Sequence, residues 1–157
     1  MPTKKTKKTN NIFLLLTMKL EILSSTGNVF SCEEVVSITT VTHSGEITVL
    51  DQHIALVTVL KPGVLRIIFK ENGTNQEKEF AVGGGILETV NSEVKILIDM
   101  LVTKDDVDID RAKKAQEDAL AAMERYKNAT DQVDMEQFIQ AQDQLLRSIA
   151  QLKLHKK

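Results

Sequence analysis

"FAVGGGILETVNSEVKILID", running from Phe80 to Asp99, places three consecutive glycines between two apolar runs, and the period of the residues after the glycines decides the fold. A phosphate-binding glycine loop opens onto a helix, whose unpaired N–H groups and positive dipole end hold the anion. The sequel here is strand-like. Ile86, Glu88 and Val90 alternate with Leu87 and Thr89, Asn91 and Ser92 interrupt, and Val94, Ile96 and Ile98 alternate with Lys95 and Asp99. This is the period-two pattern of a half-buried β-hairpin. The glycines are therefore read as structural, marking a bulge, a bend or the close approach of another backbone.

Outward from the hairpin, the chain from Met18 to about Thr103 reads as successive strands. "KLEIL", "EVVSITTV", "EITVL", "IALVTVL", "VLRIIF" and "KEFAV" precede "ILETV" and "VKILID". Turn signals divide them at Ser25-Thr26-Gly27-Asn28, Ser44-Gly45, Pro62-Gly63, Asn72-Gly73 and Asn91-Ser92. Asn72-Gly73 is the clearest hairpin turn, since both residues tolerate positive φ. Many short strands with no helical interlude predict a flattened β-sandwich or barrel.

Beyond Thr103 the period changes. Asp105, Asp106, Asp108 and Asp110 supply N-cap and first-turn acids, and Ala112, Ala115, Ala119, Ala122 and Tyr126 then share one helical face. After a break at Asn128 to Val133, with Asp131 or Asp134 as cap, a second helix carries Met135, Phe138, Ile139, Gln142, Leu145, Ile149 and Leu152 at three- and four-residue steps. The short connection makes the two antiparallel. The fold class is thus α+β: an N-terminal sandwich or barrel followed by a two-helix hairpin. Because the first helix contributes mainly alanine, each side chain buries little area, at about 25 cal/mol per Å². The hairpin's docking is accordingly expected to be either reversible or simply structural.

The 157 residues carry 20 Lys and Arg against 22 Asp and Glu, a formal charge of −2, so no global basic field points to nucleic acid. The positive charge is uneven: Lys4, Lys5, Lys7 and Lys8 crowd the start. Residues 1–17 are expected to be a disordered basic extension, the alternative being that Met18 is the true start. The apolar run from Ile12 to Leu16 is too short for a membrane span. Residues 18–103 form the expected sandwich domain and residues 104–157 the hairpin. The single cysteine, Cys32, has no internal disulfide partner and is read as a packed residue; no Cys/His spacing suggests a metal. No nucleophile with its base, and no pair of acids in a cleft, can be named, so the chain is not read as an enzyme.

Particular residues also carry a resemblance. "LKPGVLRI" from Leu60, "FAVGGGILE" from Phe80, "VKILID" from Val94 and "VDIDRAKKA" from Val107 are motifs by which the chain, from Met18 onward, resembles the epsilon subunit of bacterial F-type ATP synthases. "SGEITVLDQHIALVTVLKPG" also tracks a family stretch, although Thr48 replaces a glycine, Asp51-Gln52 a Pro-Gly pair and Ile54-Ala55 an Ala-Pro pair. The resemblance implies a non-catalytic rotor subunit of the central stalk in a proton- or sodium-translocating ATP synthase, peripheral to the cytoplasmic face of the cell membrane. The implied partners are the gamma subunit, the c-ring and, when the hairpin extends, the catalytic beta subunit.

Carried over by position, Glu46 and His53 would lie near the gamma and c-ring surface, with Gly84 and Gly85 letting the sheet bend and approach its neighbours. Arg111, Lys113, Lys114, Arg125 and Lys127 on the first helix, and Arg147 on the second before the terminal Lys153, Lys156 and Lys157, are the cations the hairpin offers an acidic beta-subunit segment. Their sparseness implies weak or conditional inhibition of ATP hydrolysis. Some relatives bind ATP through a motif that matches Asp108 and Arg111 here. Asp108 reads equally as an N-cap, Asp118 stands near one expected basic position, and no resident cofactor is expected. The rival reading is a free-standing adaptor that dimerises through Phe138, Ile139, Leu145, Leu146 and Ile149.

Overall fold

A computed structural model describes residues 16–25, 27–128 and 130–156, so the basic extension, apart from Leu16 and Thr17, lies outside the described residues. Among the described residues nine strands come first: β1 (Met18–Ser24), β2 (Gly27–Thr42), β3 (Gly45–Leu50), β4 (Leu56–Leu60), β5 (Gly63–Glu71), β6 (Thr74–Val82), β7 (Gly85–Val90), β8 (Glu93–Ile98) and β9 (Leu101–Thr103). A single 3-10 turn, Lys104–Asp106, leads into helices α1 (Ile109–Tyr126) and α2 (Gln132–Lys156). The α+β order expected from the sequence is therefore present.

Local chemistry places the turns. Asn72 and Gly73 have φ of 53° and 78°, and Asn91 and Ser92 have 50° and 63°. Two consecutive left-handed residues make the hairpin turn whose twist suits the flanking strands. All nine strands belong to one hydrogen-bonded sheet, ordered β1-β8-β7-β4-β2-β5-β6-β9, with β3 on β2 and a further β1–β2 pairing that closes a ring. The sixteen-residue β2 makes the closure possible, pairing through its first half with β1 and through its second with β3 and β5, while Thr42 at its end meets Leu60 of β4. A register shift between Val35 and Ser37 bends it from one layer into the other.

Inward-facing residues of this ring, including Leu20, Ile22, Val35, Ile38, Leu65, Ile67, Leu87 and Ile96, make one fully buried core. Cys32 is half-buried against it. The glycine run crosses from β6 to β7. Gly84 and Gly85 have φ of 113° and 150°, and a Cβ on Gly85 would overlap the carbonyl oxygen of Leu97 on β8. The glycines are a backbone crossing, as the strand-like sequel implies.

Helix α1 starts at an N-cap: the Asp108 carboxylate accepts the backbone N–H of Arg111 at 2.9 Å. Asp131 caps α2 in the same way, accepting the N–H of Asp134 at 2.8 Å. The two helices run antiparallel, for Ala112 and Ala115 share a cleft with Ser148 and Gln151, while Ala119 and Ala122 share one with Gln137 and Ala141. On α1 the alanine face is as expected, with Ala112 and Ala119 buried.

On α2 the expected stripe needs correction. Its buried residues are Ala141, Ser148, Ala150 and Leu154, while Met135, Ile139 and Gln142 are exposed. Phe138, Leu145, Ile149 and Leu152 are half-buried. The helix serves two surfaces, α1 on one side and β5 with β6 on the other, so its contact residues straddle two faces and a single apolar stripe does not describe them.

Candidate functional site

The sheet that seals the core with one face leaves the other face on β4, β7 and β8 uncovered by any other described element. Register aligns Val59, Ile86 and Leu97 across the three strands, and aligns Val57, Glu88 and Lys95 in the next row. Val57 is 68% exposed, Val59 55%, Leu97 52% and Ile86 47%. An exposed apolar row flanked by an opposite-charge pair is the composition of a protein-binding patch, since single exposed hydrophobes are ordinary but contiguous ones are not. The sequence alone does not single out these residues. Ile86 and Leu87 are both aliphatic, so alternation defines two faces without saying which is inside.

Glu46 and His53, expected together near one surface, lie at opposite ends of β3. Glu46 is exposed at its start, close enough to Arg66 to help hold the guanidinium pKa above its ordinary value. The main cause of that shift is the hydrogen bond from Arg66 Nε to Glu79 at 2.9 Å. His53 lies three residues past the end of β3, where its backbone N–H donates to the Leu50 carbonyl at 3.1 Å and Nδ1 donates to the Ile54 carbonyl at 2.9 Å. Beside it Ser92 donates to Asp51 at 2.5 Å, tying the β7–β8 turn to the β3–β4 loop, and Ile54 stands 79% exposed. Gly84 is buried: a Cβ there would stand 3.2 Å from the Leu60 carbonyl oxygen, so what these glycines approach is the chain's own backbone.

A third surface lies where the hairpin meets the sandwich. Leu154 and Ala150 of α2 are buried against Ala81, with Val64, Val102 and Val107 around them. One turn before Ala150, Arg147 reaches two carboxylates: Nη2 donates to Asp99 on the β8–β9 link and Nε to Asp143 on its own helix, both at 2.5 Å. Burial pulls the Arg147 pKa down, and the two carboxylates outweigh it, leaving it above the ordinary arginine value. Arg111, Lys113, Lys114 and Arg125 are exposed on α1 and Lys127, at its C-cap, pairs with Glu124 on the same helix, so Arg147 alone of the hairpin cations singled out from the sequence forms an ion pair with the sandwich among the described residues.

Asp108, Arg111 and Arg147 border one cleft of about 320 Å³ between α1, α2 and the β8–β9 region. Asp108 is spent as an N-cap and Arg147 on two carboxylates, and Asp106 adds a further acid to the rim. The cleft thus brings together the residues the ATP motif implied but, among the described residues, offers a polyphosphate one uncommitted lining cation, Arg111. No group of three or more His, Cys, Asp or Glu fit to hold a metal occurs among the described residues, and no described helix is long and apolar enough to cross a membrane.

A closed sandwich with an exposed apolar row, carrying a docked hairpin and no metal cluster among the described residues, has the make-up of an interaction subunit. Residues 17–104 match the family model described as "ATP synthase, Delta/Epsilon chain, beta-sandwich domain". The chain belongs to the ATP synthase delta/epsilon chain family, and as such is a structural subunit of that complex, not its catalytic one. It is 38% identical over 139 residues to the ATP synthase epsilon chain of Chromobacterium violaceum, an alignment covering 87% of this chain and 91% of that one. In structure it is similar to a chain of the Euglena gracilis mitochondrial ATP synthase, in a structure of OSCP, F1 and c-ring. The TM-score is 0.72 at 23% identity, covering 100% of this chain and 91% of that one. A chain of the Tetrahymena thermophila mitochondrial central stalk and c-ring matches at TM-score 0.50 and 21% identity, covering 67% and 72%. At these identities the two structures establish the shared fold.

Proposed function

We propose that this chain is a rotor subunit of the central stalk, coupling ion flow to ATP synthesis by joining the gamma subunit to the c-ring. The observation that supports this most is the uncovered row of Val59, Ile86 and Leu97 with Val57 beside it, a surface ready to be buried by a partner. The gamma subunit is its proposed occupant. The loop bearing His53 and the exposed Ile54 is the proposed c-ring surface, Glu46 at the opposite end of β3 is proposed as a separate partner contact, and Gly84 and Gly85 are proposed to serve the fold by letting the chain pass closely from β6 into β7. Through the c-ring the subunit sits peripherally at the cytoplasmic face of the cell membrane. The coupling ion, proton or sodium, is a property of other subunits.

The hairpin is proposed as a regulatory arm that limits ATP hydrolysis when extended toward the beta subunit, weakly because its cations are few. Direct nucleotide binding is not part of this reading, given how Asp108 and Arg147 are committed.

The test is to assemble the cognate catalytic complex without this chain and titrate in the full chain, Ile86→Lys, or a chain ending at Lys104. The full and shortened chains are expected to co-elute with the complex, Ile86→Lys to fail while keeping its melting temperature, and only the full chain to lower ATPase activity. Undiminished binding by Ile86→Lys would remove the apolar row as the stalk contact.

A further inference from the structure

Gly83 is buried beneath the point where the hairpin touches the sandwich, and its φ is not in the left-handed region, so its backbone alone does not demand glycine. What demands it is space. A Cβ there would overlap Arg147 Nη1, stand 2.5 Å from Asp99 Oδ1 and 2.9 Å from Met100 Cβ. The guanidinium therefore lies on the backbone of Gly83 with its remaining nitrogens directed to Asp99 and Asp143. The Gly83 N–H in turn donates to the Met100 carbonyl at 3.1 Å, which fixes the segment carrying Asp99.

We propose that Arg147, seated on Gly83 and bridging Asp99 and Asp143, is the latch that sets how often the hairpin leaves the sandwich. This deepens the regulatory reading of the hairpin and rests on it for the ATPase measurement alone. Elsewhere the seam centres on Ala81, Ala150 and Leu154, whose apolar contact resists opening, and the charges along its border, Glu46, Lys61, Arg66, Lys153 and Lys156, form no ion pair across it among the described residues. The latch does. Asp99 and Asp143 are about half-exposed, and a pair in that position is weakened by salt while the apolar contact is not. Asp143 keeps hold of the guanidinium within α2, so Arg147 returns to its seat pre-aimed, and Asp99 is the partner lost on opening.

The experiment is hydrogen exchange of α2 amides in the full-length protein. Arg147→Gln and Asp99→Asn each raise exchange from the undocked state by about two- to fivefold, the range of a half-exposed pair. The double variant does no more than either single one. Gly83→Ala, which alters no charge, does the same by filling the seat. In the parent protein, salt raised to about 1 M gives a comparable increase that Arg147→Gln abolishes. Additive effects of the two charge variants, or an unchanged α2, would overturn the latch. A separate arm measures ATPase activity of the assembled complex with Asp99→Asn, where inhibition should deepen. Raised exchange with unaltered ATPase activity would keep the latch and count against the regulatory reading of the hairpin instead.

Discussion

Leu154→Ala should release the hairpin and leave the sandwich standing. Leu154 is completely buried near the end of α2, and its surroundings come from both modules: Ala150 on its own helix, Ala81, Val64 and Val102 on strands, and Val107 on the approach to α1. Removing three side-chain carbons costs about 0.8 kcal/mol of transfer each, plus a cavity contribution. A site near a helix end can partly collapse, which favours the lower part of the range for such substitutions, about 2–3 kcal/mol. The docking equilibrium should therefore shift about 30- to 150-fold toward the open hairpin. Hydrogen exchange resolved by segment is the assay. Amides of α1 and α2 should exchange faster by that factor, while those of β1, β2, β7 and β8, whose core does not include Leu154, keep their protection. Equal loss across β1, β2, β7 and β8 would show one cooperative unit and refute the separation of hairpin from sandwich.

Gly85→Ala should be far more harmful than its size suggests, because the new Cβ collides with the Leu97 carbonyl oxygen and lies 3.1 Å from Ile98 Cα. A loss of about 3 kcal/mol is expected, read as a fall of about 10 °C in melting temperature, and a fall of only a degree or two would be inconsistent with this crossing. Asp108→Ala should weaken the start of α1 by about 1 kcal/mol whereas Asp108→Asn is near neutral, because either side chain can accept the Arg111 N–H. Exchange of the first-turn amides of α1 distinguishes them, and equal effects would deny Asp108 its capping role. Arg147 has a raised pKa, so its contribution is complete below the ordinary arginine value and disappears only as pH climbs through the raised one. The ratio of α2 opening between Arg147→Gln and the parent should thus stay constant from about pH 7 to about pH 10, and a ratio that collapses within that window contradicts the assignment.

How legible each feature is in the sequence depends on how far along the chain its cause acts. Local causes read directly: the Asn72-Gly73 and Asn91-Ser92 turns, the alternation that buries Leu87, Thr89, Val94 and Ile96, and the Asp108 cap all arise within a few residues. Distant causes do not. β9 gives no separate signal, and the extent of β2 is hidden because Gly27 to Glu33 lacks a hydrophobic run and owes its extension to β1. Periodicity misplaces the α2 face because Ala141, Ser148 and Ala150 are small and read as neutral, yet they are the side chains that let other elements approach. Arg147 reads from its own helix only as the i+4 partner of Asp143, because Asp99, which ties it to the sandwich, lies 48 positions away. The exposed row on β4, β7 and β8 resembles core, and only the closed sheet shows which aliphatic residues are left outside.

Strand β1 has two neighbours made at very different times. β2 comes directly after it, but β8, which it pairs in parallel from Lys19 opposite Glu93 to Leu23 opposite Leu97, leaves the ribosome about seventy residues later. During synthesis β1 therefore waits as the open edge of a two-stranded ribbon, with a row of unpaired N–H and C=O groups available to any other extended chain. The ring cannot close before Leu97 has emerged, and the surface onto which Leu154 and Arg147 settle does not exist until then. A nascent chain interrupted between Val90 and Leu97 would carry most of the sandwich's apolar residues without the strand that seals them. That interval is when the molecule most needs protection from its own kind.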